Sequence, residues 1–123
     1  MSFTAKGKEL ALRHMIENQA SRIRFIDDGN EFLHAEANIT NDWINSADYS
    51  VDGEATFSEP LSASIGAGNT IVKVALINFN AQVLSVYELP EPLVFTEAGT
   101  AVINEITFDL NDGVSHVEPV YPS

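Results

Sequence analysis

The chain contains no cysteine. That excludes disulfides and thiolate metal sites, and it suits folding in a reducing compartment. Basic residues are nearly as scarce. Six Lys and Arg stand against 18 Asp and Glu, for a formal net charge of −12. A body this acidic repels nucleic acid, whose affinity for proteins rests on Lys and Arg neutralising phosphates. No apolar run approaches the roughly 18 residues that cross a bilayer, so no membrane partner is expected. The opening Met-Ser-Phe-Thr-Ala-Lys-Gly-Lys-Glu has no apolar core of a secretory signal, which points to synthesis in a cytoplasm. There is one tryptophan. Neither a phosphate-binding G-x-x-x-x-G-K-[ST] nor a dinucleotide G-x-G-x-x-G is present.

What remains is an ordinary globular composition, 45% hydrophobic in 123 residues, the size of one domain. Its few cations are not spread evenly. Lys6, Lys8, Arg13, Arg22 and Arg24 crowd the first 24 positions, and Lys73 is the only other. Lys6, Lys8, Arg13 and Lys73 are therefore candidate interface residues for an acidic partner surface, including a neighbouring copy of this chain.

The patterning predicts a mainly β protein. Thr4 is placed to cap a helix over about residues 5–19, with Leu12, Met15 and Ile16 as its apolar stripe. Strands are expected at Ile23–Ile26, Phe32–Ile39, Glu54–Phe57, Ile71–Ile77, Gln82–Leu89, Leu93–Phe95 and Val102–Leu110. The paired asparagines of Asn78-Phe79-Asn80-Ala81 mark a hairpin. Residues 41–52 read as a long polar loop anchored by Trp43 and Ile44. Pro90 and Pro92 place their segment at an edge or a crossing between sheets. In the Ile71–Ile77 strand, Val72, Val74 and Leu76 are expected on one face and Ile71, Ala75 and Ile77 on the other. The whole predicts an antiparallel β-sandwich or jelly-roll-like domain over residues 1–113 with an N-terminal helix. Residues 114–123 are expected to be an extended or disordered tail.

Few motifs carry chemistry. Asp48, Ser50, Asp52 and Glu59 have the spacing of oxygen ligands in a calcium-binding EF-hand loop, with Gly53 at the sharp turn. Pro60 directly after the loop disfavours the exiting helix that such a site has. Trp43 and Tyr49 nearby are candidate stacking aromatics for a carbohydrate. Ser115-His116-Val117-Glu118 has the residue types of a hydrolase triad, but nearly consecutive positions do not converge as a triad must. His14, His34 and His116 have no ligand partner at i+4, which argues against a zinc site. No cofactor, no metal site and no enzymatic activity are expected from this set.

The order of elements resembles that of a family of small tailed-phage virion proteins, labelled as tail, head or decoration proteins. The likeness covers roughly residues 4–110. It runs through Ala5-Lys6-Gly7-Lys8 in the helix, Ile23-Arg24-Phe25-Ile26, Ala55-Thr56-Phe57 and Val72-Lys73-Val74-Ala75-Leu76-Ile77-Asn78. It continues through Leu84-Ser85-Val86-Tyr87-Glu88-Leu89, Pro92-Leu93-Val94-Phe95, Gly99-Thr100 and Ile106-Thr107-Phe108-Asp109-Leu110. Lys73, Ala75 and Ile77 depart from the family's usual His, Gly and Trp. The resemblance implies a virion structural protein without enzymatic activity. A capsid decoration or cement protein is the leading expectation, and a tail or baseplate component the alternative. Its expected partners are copies of itself, as a trimer or other closed oligomer, and a larger capsid or tail protein. A carbohydrate- or calcium-binding module is the alternative from another class.

Overall fold

The structure, a computed structural model, describes residues 3–50 and 52–121. Val51 of the candidate calcium loop and the last two residues of the expected tail lie outside the described residues. Two antiparallel sheets pack face to face behind an N-terminal helix, α1, Ala5–Gln19. Thr4 starts the helix as expected, its hydroxyl oxygen accepting from the Gly7 amide at 3.1 Å. Leu12 and Ile16 are fully buried, so the amphipathic stripe is what docks the helix.

The first sheet has four strands in the order β2-β1-β6-β7. They are β1 (Ala20–Asp27), β2 (Phe32–Asn38), β6 (Asn69–Asn78) and β7 (Val83–Phe95). The second is built on β8 (Gly99–Asp109). Along one side of β8 lie β4 (Glu54–Phe57) and β5 (Leu61–Ile65), each on a different half, with the short β3 (Asp48–Tyr49) outside β4. Along its other side lies β9 (Gly113–Val120). The tail expected from Val114 onward is therefore a strand of this sheet, and Val114 and Val117 enter the core. Pro119 fits because β9 is an edge strand, where a missing N–H breaks no ladder bond. Residues 41–52 are likewise more ordered than a loop. They hold a short helix, α2 (Asn41–Asn45), capped by the Thr40 side chain, and then β3.

One continuous core joins both sheets and both helices. At its base Trp43 and Phe57 stack with centroids 3.9 Å apart and planes 7° from parallel. Stacked aromatic pairs of this kind contribute about 0.5–1.5 kcal/mol beyond their buried area.

Strand β6 corrects the expected face assignment. Opposite β1, Asp27 pairs with Ile71 and Ile26 with Lys73, so Val72 is the extra residue of a bulge. A bulge shifts side-chain alternation by one residue. Ile71 therefore joins Val74 and Leu76 in the main core, while Ala75 and Ile77 form a small separate cluster with Ile26 on the outer face. On the other side of β6 the register slips again where β7 carries Leu89 to Pro92, so the proline segment passes along the sheet edge.

Candidate assembly surface

The expected interface residues fall in two places. On α1, Lys6 meets Glu9 at 3.0 Å, and Arg13 lies 3.6 Å from Glu9 and 3.7 Å from Glu17. Lys6 and Arg13 beside Glu9 hold its carboxyl below the usual range, with the Lys6 hydrogen bond the largest cause. The Arg13 guanidinium also lies over the Tyr49 ring, 4.5 Å from its centroid. The Lys8 stem packs over Gly53. The helix cations are thus engaged locally with carboxylates, a ring and a glycine backbone. Lys73 is elsewhere, on the outer face of the first sheet, donating to Asn30 Oδ1 at 3.1 Å.

That outer face is assembled by cross-strand pairing. Arg22 stands beside Asn38 and Ile77, Arg24 beside Glu36 and Ala75, and Ile26 beside Phe32 and Lys73. On the far side, Val83 pairs with Ile77, Val86 with Ala75 and Glu88 with Lys73. Arg22 and Arg24 both reach Glu36. Arg24 also donates to the Leu33 carbonyl at 2.6 Å and lies 5.1 Å from the Phe32 ring centroid. The face thus carries three cations, Arg22, Arg24 and Lys73, against the carboxylates Glu36 and Glu88. It runs from a charged strip on β1 and β2 to an apolar strip on β7.

The apolar strip continues to the β6–β7 turn. Val83 and Val86 are nearly half exposed, and Phe79 at the turn is 68% exposed. The turn is braced from below by Asn78, which is itself buried. Asn78 Oδ1 accepts from the Asn80 and Gln82 amides at 2.9 Å, and its Nδ2 donates to Gln82 Oε1 at 2.9 Å. Ala81 sits at φ 61, an unfavourable conformation for a residue with a side chain. An aromatic ring is therefore held out in water by a well-bonded turn. Large apolar exposure of this kind on a rigid element marks contact surfaces.

The opposite outer face has the other sign. Asp48, Glu54, Glu105, Asp109 and Glu118 alternate outward from β3, β4, β8 and β9, among Thr56, Thr107 and His116, with no Lys or Arg. Thr56 and Thr107 share a hydrogen bond across the ladder at 3.1 Å. The sandwich is electrically two-sided, one outer face mixed and cationic, the other acidic.

The remaining candidates are placed as follows. Among the described residues of the Asp48 to Glu59 stretch, β3 and β4 pair as an antiparallel ladder, not as the helices of a helix–loop–helix. Asp48 pairs with Thr56, Ser50 Oγ accepts from the Asp52 and Glu54 amides, and Glu59 lies beyond the end of β4. The four expected calcium ligands are thus strung along a ladder and its turn. Trp43 is 1% exposed and covered by Phe57, so it offers no face to a sugar. Tyr49 is covered by Arg13, and burial raises its pKa more than Arg13 lowers it. Ser115 Oγ donates to the Thr107 carbonyl, whereas His116 faces Glu105 at 3.8 Å. Sequence reasoning missed Phe32, Phe79, Val83 and Val86 as a surface. Their signal was the period-2 exposure of strands flanking an already apolar strand. No family model, curated protein or solved structure matches the chain. Among the described residues, no helix is long and apolar enough to cross a membrane.

Proposed function

We propose that the protein is a structural subunit of a bacteriophage particle that works through protein–protein contacts and not through catalysis. A capsid decoration protein is the leading form of this reading, with the virion as its location. A tail or baseplate position would use the same surface. The observation that carries it is the outer face of the first sheet, where Val83 and Val86 are exposed on β7, across β6 and its Lys73 from Arg22 and Arg24 on β1, with Phe79 exposed at the adjoining turn. An apolar strip beside a charged one offers a subunit contact both area to bury and polar groups to pair. The acidic face on the other side of the same molecule offers a complementary charge, favouring copies of this chain as one partner and a larger capsid or tail protein as another. The element order that resembles small tailed-phage virion proteins supports the same reading.

Sedimentation of the purified full chain across micromolar to millimolar concentration tests it. The expected result is a closed oligomer, a trimer in the simplest case, that Val86→Glu shifts to monomer with its circular dichroism and cooperative melting retained. A strict monomer at millimolar concentration, or an oligomer indifferent to Val86→Glu and to Phe79→Ser, would overturn the role given to this face.

A further inference from the structure

On the acidic face one cluster has a donor set beyond charge alone. Glu105, His116 and Glu118 bring their donor atoms within 4.8 Å of one another. They come from two neighbouring strands. Glu105 and Glu118 are direct cross-strand partners, and His116 is two residues before Glu118 on the same side of β9. Two bulges set this arrangement. One at Asn104 and one at Ser115 restore alternation so that Ile106, Phe108, Val114 and Val117 point inward while Glu105, Thr107, His116 and Glu118 point out.

We propose that Glu105, His116 and Glu118 form a binding site for a first-row divalent transition ion of the zinc class. This inference goes beyond the contact role, with which it shares Glu105 and Glu118, and its test does not depend on oligomerisation. The donor set is one imidazole nitrogen and two carboxylate oxygens, a mixture that suits zinc and its neighbours. Calcium prefers six to eight oxygens, which this cluster does not supply. With metal–ligand distances of about 2.0–2.2 Å, donors at tetrahedral corners lie about 3.4 Å apart. His116 Nε2 and Glu105 Oε1 are already 3.8 Å apart and all three donors lie within 4.8 Å of one another, so closing on an ion takes about an ångström of movement, which the exposed Glu118 and His116 side chains can supply by rotation. The ladder supplies a rigid base, which limits the ordering entropy that binding requires. An ion also removes a defect of the sheet. Like charges directly opposite one another destabilise an antiparallel pair, and Glu105 opposite Glu118 is such a pair. A divalent ion balances the formal charge of the two carboxylates with His116 as a neutral ligand. Three protein donors leave one tetrahedral position for water or for a donor from another molecule.

Titration of the tag-free, chelator-treated full chain with zinc chloride at neutral pH, followed calorimetrically, tests the site. One ion per chain is expected, with micromolar dissociation and no competition from equimolar calcium. Cobalt substitution should give the visible absorption of a low-coordinate site. His116→Ala and Glu118→Gln, both on exposed side chains, should weaken binding at least tenfold while His14→Ala and His34→Ala leave it unchanged. Absence of saturable binding up to millimolar zinc overturns the proposal. So does binding that survives His116→Ala, or that falls equally with any of the three histidines.

Discussion

Replacing Gly113 with alanine tests how the two sheets meet along their β7 and β9 edges. Gly113 has φ +76, and a Cβ there would lie 2.5 Å from Ser85 Oγ and 3.0 Å from Ser85 Cβ. Ser85 cannot simply turn away, because its Oγ accepts the Val114 amide at 2.9 Å. Three contributions add. The left-handed backbone costs an L-residue about 1–2 kcal/mol. Overpacking against Ser85 costs roughly 1–3 kcal/mol. Losing the hydrogen bond to a part-buried amide costs about 1 kcal/mol. The total expected for Gly113→Ala is about 3–6 kcal/mol, a large fraction of the stability of any single domain. Ser85→Gly alone should cost about 2 kcal/mol, from the same hydrogen bond and a glycine within a strand. In the double variant the overlap is gone and the hydrogen bond is already lost, so alanine at 113 should cost only the backbone penalty of about 1–2 kcal/mol. Denaturant unfolding followed by the fluorescence of Trp43, the sole tryptophan and a buried one, reads all four stabilities. A coupling of about 2–4 kcal/mol is expected between the two sites. Equal cost of Gly113→Ala with serine or glycine at 85 would refute the contact as the cause. A neutral Gly113→Ala would refute the whole argument.

Two further outcomes follow from the fold. Ending the chain at Gly113 should abolish cooperative melting, since burial of Val114 and Val117 alone contributes about 3–6 kcal/mol; an unchanged melt would return this segment to a dispensable tail. In a spectrophotometric titration Tyr49 should ionise above the ordinary tyrosine value, and Tyr49→Phe should remove that late component. Burial raises the Tyr49 pKa above its ordinary 10.0, so the stability it contributes is complete below about pH 10 and is lost as pH climbs through the raised value. The absence of a late component, or one that survives Tyr49→Phe, would contradict its placement.

The parts of the fold legible in the sequence are those with local chemistry. Thr4 caps its helix, Glu54–Phe57 is a strand, and Asn78 organises the hairpin, because caps, β-branched runs and turn asparagines act over a few residues. The parts that were hidden depend on partners far along the chain. Leu61–Ile65 alternates perfectly, but its outward serines and its central alanine carry little strand preference, and only pairing with β8 makes it a strand. Strand β9 was masked by Pro119 and by a polar composition that an edge tolerates. The Val72 bulge is set by register against β1, and it alone moves Ile71 from the outer face to the core. The Glu105, His116 and Glu118 cluster was invisible for the same reason as β9, since a histidine eleven positions from a glutamate becomes its neighbour only through the β8–β9 ladder. The apolar outer strip was half legible. The absence of polar groups on Ala75 and Ile77 pointed to a second face needing cover, but its extension to Val83 and Val86 required the pairing of β7.

The unlike charge of the two outer faces gives the molecule a direction. A contact that joins the cationic face of one copy to the acidic face of the next cannot be its own mirror, so it is a head-to-tail contact in which each copy still has one face of each kind to offer. The count of the expected closed oligomer is then set by the rotation per step alone. A ring ends the series if the rotation per step divides a full turn, and otherwise only an underlying lattice of fixed spacing does.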